Sequence, residues 1–167
     1  HNNQVFALTV GQATPTSEKG FIGSANFQGK KEEPLNPLTL ALVSGASFVG
    51  RGYALDKAHL KALIRRAVEH KGFAFIDILQ PCVTYNYLNT YDYWKERCYN
   101  LQETKYDFAN KEEAFKKMHE SGKKVPVGIF YKVNKNSYEE LFKQTKIPLN
   151  KHDISNINVN KLLDEFK

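Results

Sequence analysis

At 167 residues and 19.1 kDa the chain has the length of one domain with a sizeable core, and 41% hydrophobic and 13% aromatic content argue against disorder. No apolar run reaches the roughly 18 residues of a membrane span, and no charged segment followed by an apolar one opens the sequence as a secretory signal does. The net charge of +6 is shared between residues 1–100 and 101–167, and the dense runs "GKKEE" and "NKEEAFKKMHESGKK" interleave both signs as a solvated helix face does, which argues against nucleic acid as partner.

In chain order, "QVFALTV" after Asn2–Asn3 reads as the end of a buried strand or the start of a loop. From Gly11 to Pro34 the composition is that of a loop, and a loop of that length is expected to be functional or pinned by a ligand. "NPLTLALVSG" predicts a helix capped by Asn36 with Pro37 at its first position, and "SFVGRGY" a short strand. "KAHLKALIRRAVEH" (57–70) predicts a helix capped by Asp56, with Leu60, Leu63, Ile64, Ala67 and Val68 forming one buried stripe. "FAFIDILQ" has the near-continuous apolar texture of a strand covered on both faces, the habit of parallel sheets.

Helix, strand, helix, strand over 36–80 therefore indicates an α/β fold. "NTYDYWKERCYNL" predicts an aromatic helix carrying Cys98 across the sheet. A cap at Asn110 with Glu113 precedes another helix, "VPVGIFYKV" predicts a further strand, and Ser137 with Glu140 caps a short helix. "NVNKLLDEFK" closes the sequence as a modest amphipathic helix.

Few side chains suggest chemistry on their own. Asn2–Asn3 at a strand end, with the Val5 carbonyl two residues on, can offer neutral oxygens to a hard cation such as Mg²⁺; the carboxyl ends of strands are where open α/β sheets bind ligands. Cys82, in "LQPCVTYN", follows the second strand in a loop and can ligate a metal or cluster only with help from elsewhere. Two cysteines make no disulfide framework and no zinc pattern, so a reducing, cytoplasmic setting is the default. Cys98 reads as structural. His59 and His70 read as solvated residues on the polar side of a helix, Ser44 and Ser47 lack a nucleophile-elbow context, and Asp77 reads as a buried, hydrogen-bonded structural carboxylate.

Four ordered blocks, "NNQVFALTVGQATPTSEKG", "EEPLNPLTLALVSGASFVGRG", "HLKALIRRAVEHKGFAFIDILQPCVTYN" and "NTYDYWKERCYNL", resemble the β subunit of the archaeal-type 2-oxoacid:ferredoxin oxidoreductases, which use thiamine diphosphate. The resemblance implies that Asn3 ligates Mg²⁺ through its side chain and Val5 through its carbonyl. It implies too that Ala7 and Leu8 touch thiamine diphosphate, and that Cys82 is one ligand of a four-iron four-sulfur (4Fe–4S) cluster. Because the family's Gly-Asp-Gly and its other cluster cysteines have no counterpart here, the resemblance implies the C-terminal part of such a subunit, unable to complete either ligand shell alone. Residues 1–90 then correspond to the C-terminal half of a thiamine-diphosphate-binding domain, a partial fold with a mostly parallel sheet flanked by helices. Residues 91–167 correspond to a smaller C-terminal α/β extension.

The implied activity is oxidative decarboxylation of a 2-oxoacid, such as pyruvate or 2-oxoglutarate, with coenzyme A to acyl-CoA, CO₂ and reduced ferredoxin. The base that activates the cofactor would lie on the α subunit, so no catalytic residue is expected here. Val10 stands where many relatives have Lys or Gly, and Leu8 where some have Asn. The competing reading is a small basic α/β binding module without catalysis, using the 11–34 loop and a Lys-rich tail for an acidic partner.

Overall fold

A computed structural model describes residues 1–142 and 147–166 of the chain. Two compact units are present, His1–Lys135 and Asn136–Lys167. The first is built on a four-stranded sheet of order β2-β1-β4-β3. The strands are β1 (Phe48–Tyr53), β2 (Ala74–Leu79), β3 (Cys98–Asn100) and β4 (Val125–Lys132). β1 pairs parallel with β2 and β3 parallel with β4, whereas β1 and β4 run antiparallel. The sheet is mixed, and segments 1–90 and 91–135 share it, because β4 is seated between β1 and β3.

Helices cover both faces. On one side lie α1 (Pro37–Val43), α3 (Tyr91–Arg97) and α4 (Lys111–Met118). α1 and α4 build a core of Leu38, Leu42, Val49, Met118 and Phe130. Trp94 of α3 packs with Tyr53, Leu79, Val125 and Val127 in a second cluster. Between the two clusters Arg51 faces Asp77 in direct register and donates from Nε to its carboxylate at 3.0 Å. Both side chains are largely buried, so Asp77 is the hydrogen-bonded structural carboxylate expected of it, paired as a buried charge must be.

On the other side α2 (Lys57–Val68) lies over β1. Its buried line is narrower than the stripe in the sequence: Leu63 is buried and Leu60 and Ala67 half-buried, while Ile64 and Val68 are exposed. The cause lies in β1. Gly50 and Gly52 present no side chain, and Leu63 and Leu60 settle into the space, so close that a Cβ on Gly52 would stand 2.6 Å from Leu60 Cδ1. The helix thus docks along one row of residues, leaving its flank in solvent.

Local signals in the sequence act as expected at several helix starts. Asn36 Oδ1 accepts from Leu38 and Thr39 N–H, and Asp56 Oδ1 from His59 N–H. Ser137 and Glu140 form a reciprocal capping pair at 3.0 and 3.3 Å in the second unit, where α5 (Val159–Asp164) is also found.

Other expectations need correction. β2 is half-buried along most of its length, because among the described residues a single bridge, to Asn2, lies beyond it rather than a full strand. The aromatic helix stops at Arg97, and Cys98 opens β3: its backbone is extended, and it pairs with Val125. His70 is half-buried rather than fully solvated. It lies past the end of α2, bonds Ser47 Oγ at 2.8 Å and packs on Phe48. His59 is half-buried too, with a buried Nδ1.

Candidate functional site

The site predicted at the N-terminal turn is built against the end of β2. Asn2 N–H donates to Ile78 O at 2.7 Å, and Gln80 N–H to Asn2 O at 3.0 Å, a parallel bridge that sets residues 1–3 beside the carboxyl end of β2. The chain then turns sharply at Gln4, whose φ of +55° lies in the left-handed region. Val5 is buried, and residues 6–12 form a small loop closed by Phe6 N–H to Gln12 O and Gly11 N–H to Phe6 O, both 2.9 Å. At its tip Ala7 is half-buried and Leu8 almost fully exposed, at 98%. Val10 also has a positive φ, +75°.

The oxygens named for a cation have few hydrogen-bond partners there. Asn3 Oδ1 accepts only a long 3.4 Å contact from Val5 N–H, and among the described residues no donor reaches the Val5 carbonyl. Two neutral oxygens with spare lone pairs fit a hard divalent cation, which takes few protein ligands and keeps water or phosphate oxygens for the rest.

Cys82 sits half-buried in the loop that follows β2, and that loop is tied to the same turn. Asn86 N–H donates to Cys82 O at 3.0 Å; its Nδ2 donates to Asn3 O at 3.0 Å and to Asn89 Oδ1 at 3.2 Å. Asn89 Nδ2 in turn donates to Glu18 Oε1 at 2.7 Å, which also accepts Tyr93 Oη at 3.0 Å. Burial, and then the Glu18 carboxylate, push the Tyr93 hydroxyl up to about 12, so it remains a donor at neutral pH. Asn86 and Asn89 are each 1% exposed, so this is an internal strut joining the Asn3 turn to the Cys82 loop. Sequence reasoning missed both asparagines and Glu18. Their spacing in "YNYLNT" was a turn signal, but partners 71 and 83 residues away leave no local trace.

The 11–34 loop is tied down in part by its own lysine. Lys30, 7% exposed, donates from Nζ to Pro15 O at 3.0 Å and Ser17 O at 2.9 Å. Beside the turn a cleft of about 460 Å³ is lined by Asn2, Gln4, Thr16, Arg51, Trp94 and Glu120 among others. Among the described residues no three His, Cys, Asp or Glu side chains gather as a metal site, so this part of the chain offers isolated ligands rather than a closed shell. Cys98 is a poor ligand candidate: burial, opposed by Arg51, pushes its thiol up to about 11. Among the described residues no helix is long and apolar enough to cross a membrane.

Two protein families match successive parts of the chain. Residues 1–78 match the family "Thiamine pyrophosphate enzyme, C-terminal TPP binding domain", and residues 82–147 match the family of C-terminal regions of the pyruvate ferredoxin oxidoreductase beta subunit. The chain is 42% identical over 156 residues to 2-oxoacid:ferredoxin oxidoreductase 1, subunit beta, of Aeropyrum pernix, covering 86% of this chain and 49% of that one. It is 43% identical over 141 residues to the 2-oxoacid:ferredoxin oxidoreductase subunit beta of Saccharolobus solfataricus, covering 78% and 46%. A solved 2-oxoglutarate:ferredoxin oxidoreductase from Magnetococcus marinus, with 2-oxoglutarate, coenzyme A and succinyl-CoA bound, superposes with a TM-score of 0.85 at 28% identity, over 99% of this chain and 56% of that one. The chain spans about half the length of the curated relatives it matches. On these matches, and on a sheet with helices on both faces, the chain belongs to the family of 2-oxoacid:ferredoxin oxidoreductase β subunits, to whose C-terminal portion it corresponds.

Proposed function

We propose that this chain contributes one side of the thiamine diphosphate site and one ligand of an iron–sulfur cluster in a CoA-acylating 2-oxoacid:ferredoxin oxidoreductase. The single observation that carries the reading is the strut: Asn86 ties the Asn3 turn to the Cys82 loop, so both candidate ligands hang from the same strand end. Asn3 Oδ1 and the Val5 carbonyl would hold Mg²⁺ against the cofactor's diphosphate, and Ala7 and Leu8 would line the thiamine side. Cys82 would supply one thiolate to a 4Fe–4S cluster. When bound, thiamine diphosphate supplies the electron sink that lets a 2-oxoacid lose CO₂.

What the protein's own residues do is bind and orient. The exposed apolar side chains Phe6, Leu8 and Val10 suit a surface that excludes water from a cofactor shared with an α subunit, the partner in which the activating base is expected. The substrates would be a 2-oxoacid and coenzyme A, with ferredoxin as electron acceptor. Residues 1–90 carry every proposed contact, and residues 91–167 form the extension. Two unbridged cysteines support a reducing, cytoplasmic setting.

The test uses the assembled enzyme. Asn3→Ala is expected to weaken Mg²⁺-dependent thiamine diphosphate binding by about tenfold or more, read by titration calorimetry. Cys82→Ser is expected to diminish the four-iron electron paramagnetic resonance signal and its visible absorbance. Unchanged cofactor affinity in the first variant, or a full-strength cluster signal in the second, would refute the corresponding assignment.

A further inference from the structure

The turn that carries Asn3 and Val5 does not hold its shape alone. Gln4 adopts a left-handed backbone that only glycine, and at some cost asparagine or aspartate, takes readily, and such a conformation persists where its surroundings over-determine it. The surroundings are two consecutive hydroxyl residues from the 11–34 loop. Thr16 Oγ1 donates to Asn2 Oδ1 at 2.8 Å, the same oxygen that accepts Gln4 N–H at 3.1 Å. Thr16 O accepts Gln4 Nε2 at 3.1 Å. Ser17, fully buried, donates from Oγ to Gln4 O at 2.6 Å while accepting Thr14 N–H at 2.7 Å. Lys30 fixes this strap from behind through the Pro15 and Ser17 carbonyls.

The strap therefore grips the residue before the proposed ligand Asn3 and the residue after it, and touches neither ligand. Rotation of Gln4 to an ordinary extended conformation would change how the Val5 carbonyl stands relative to Asn3 Oδ1. We infer that Thr16 and Ser17 are positioning residues for the cation end of the cofactor site, holding the Asn2–Val5 turn in its ligating shape; the inference rests on the reading of Asn3 and Val5 proposed above.

The experiment measures, on the assembled enzyme, the Mg²⁺ concentration that half-saturates thiamine diphosphate binding, with the thermal midpoint of the cofactor-free protein beside it. Thr16→Val, close in shape and lacking only the hydroxyl, is expected to raise that concentration about tenfold, the scale on which partners of metal ligands act. Ser17→Ala is expected to do the same. Gln4→Gly combined with Ser17→Ala is expected to recover most of the affinity, because glycine adopts positive φ without the strap; a merely structural role for Ser17 would not be rescued in this way. Should Ser17→Ala fail to fold, Thr16→Val decides alone. A wild-type Mg²⁺ requirement in Thr16→Val, with Asn3→Ala impaired, overturns the positioning role and leaves the ligand assignment standing. A wild-type requirement in Asn3→Ala as well removes the ligand assignment and this inference with it.

Discussion

Val10 is the residue whose conformation contradicts its chemistry. A β-branched side chain at φ +75° clashes with its own backbone, which costs about 1–2 kcal/mol. More than half of the side chain is exposed, so little packing offsets the strain. That gives glycine, one of the residues expected here in relatives, a physical reason. Val10→Gly should exchange the strain for glycine's extra unfolded-state freedom, about 0.5–1 kcal/mol. The expected net is a gain of about 0.5 kcal/mol, visible as a higher thermal midpoint with unchanged cooperativity. A clear fall would mean that the isopropyl group makes contacts the loop depends on.

Between elements, the informative contact is α2 on β1. The apolar pattern of the helix advertises five inward residues, yet glycines in the strand decide which of them are buried. Gly52→Ala places a methyl where Leu60 Cδ1 now lies. Because that atom ends a flexible side chain, Leu60 can turn aside, and the expected loss is about 1–2 kcal/mol rather than collapse. Leu60→Ala in the same chain should return part of it, a coupling that a double-mutant cycle in denaturant unfolding would measure. Independent, additive losses would show that the two groups do not share that space.

At the scale of the molecule, the sequence disclosed what is local and hid what is not. Caps at Asn36 and Asp56, the β1 and β2 strands and the loop-borne Cys82 were legible because each depends on neighbours within a few residues. The insertion of β4 antiparallel beside β1, the extended start of β3 at Cys98, and the Asn86–Asn89–Glu18 strut were not, since pairing partners far along the chain create them. His70 belongs to the same hidden class, and it sets a pH response. Burial first, and Lys132 second, hold its imidazole below the ordinary value of 6.5. A lowered folded pKa means the neutral ring stabilises the fold in full above about pH 6.5, and the contribution is withdrawn as pH falls through the folded value. The thermal midpoint should therefore decline as pH falls below about 6.5. His70→Gln should flatten that decline, and an equally steep profile in the variant would assign it to other groups.

The ammonium of Lys30 has an experimental consequence. An amine wrapped in main-chain carbonyls is shielded from acylating reagents until residues 11–34 peel away. Its modification rate in a mixture of otherwise accessible lysines, followed by peptide mass spectrometry, would act as a clock for how often that cover lifts.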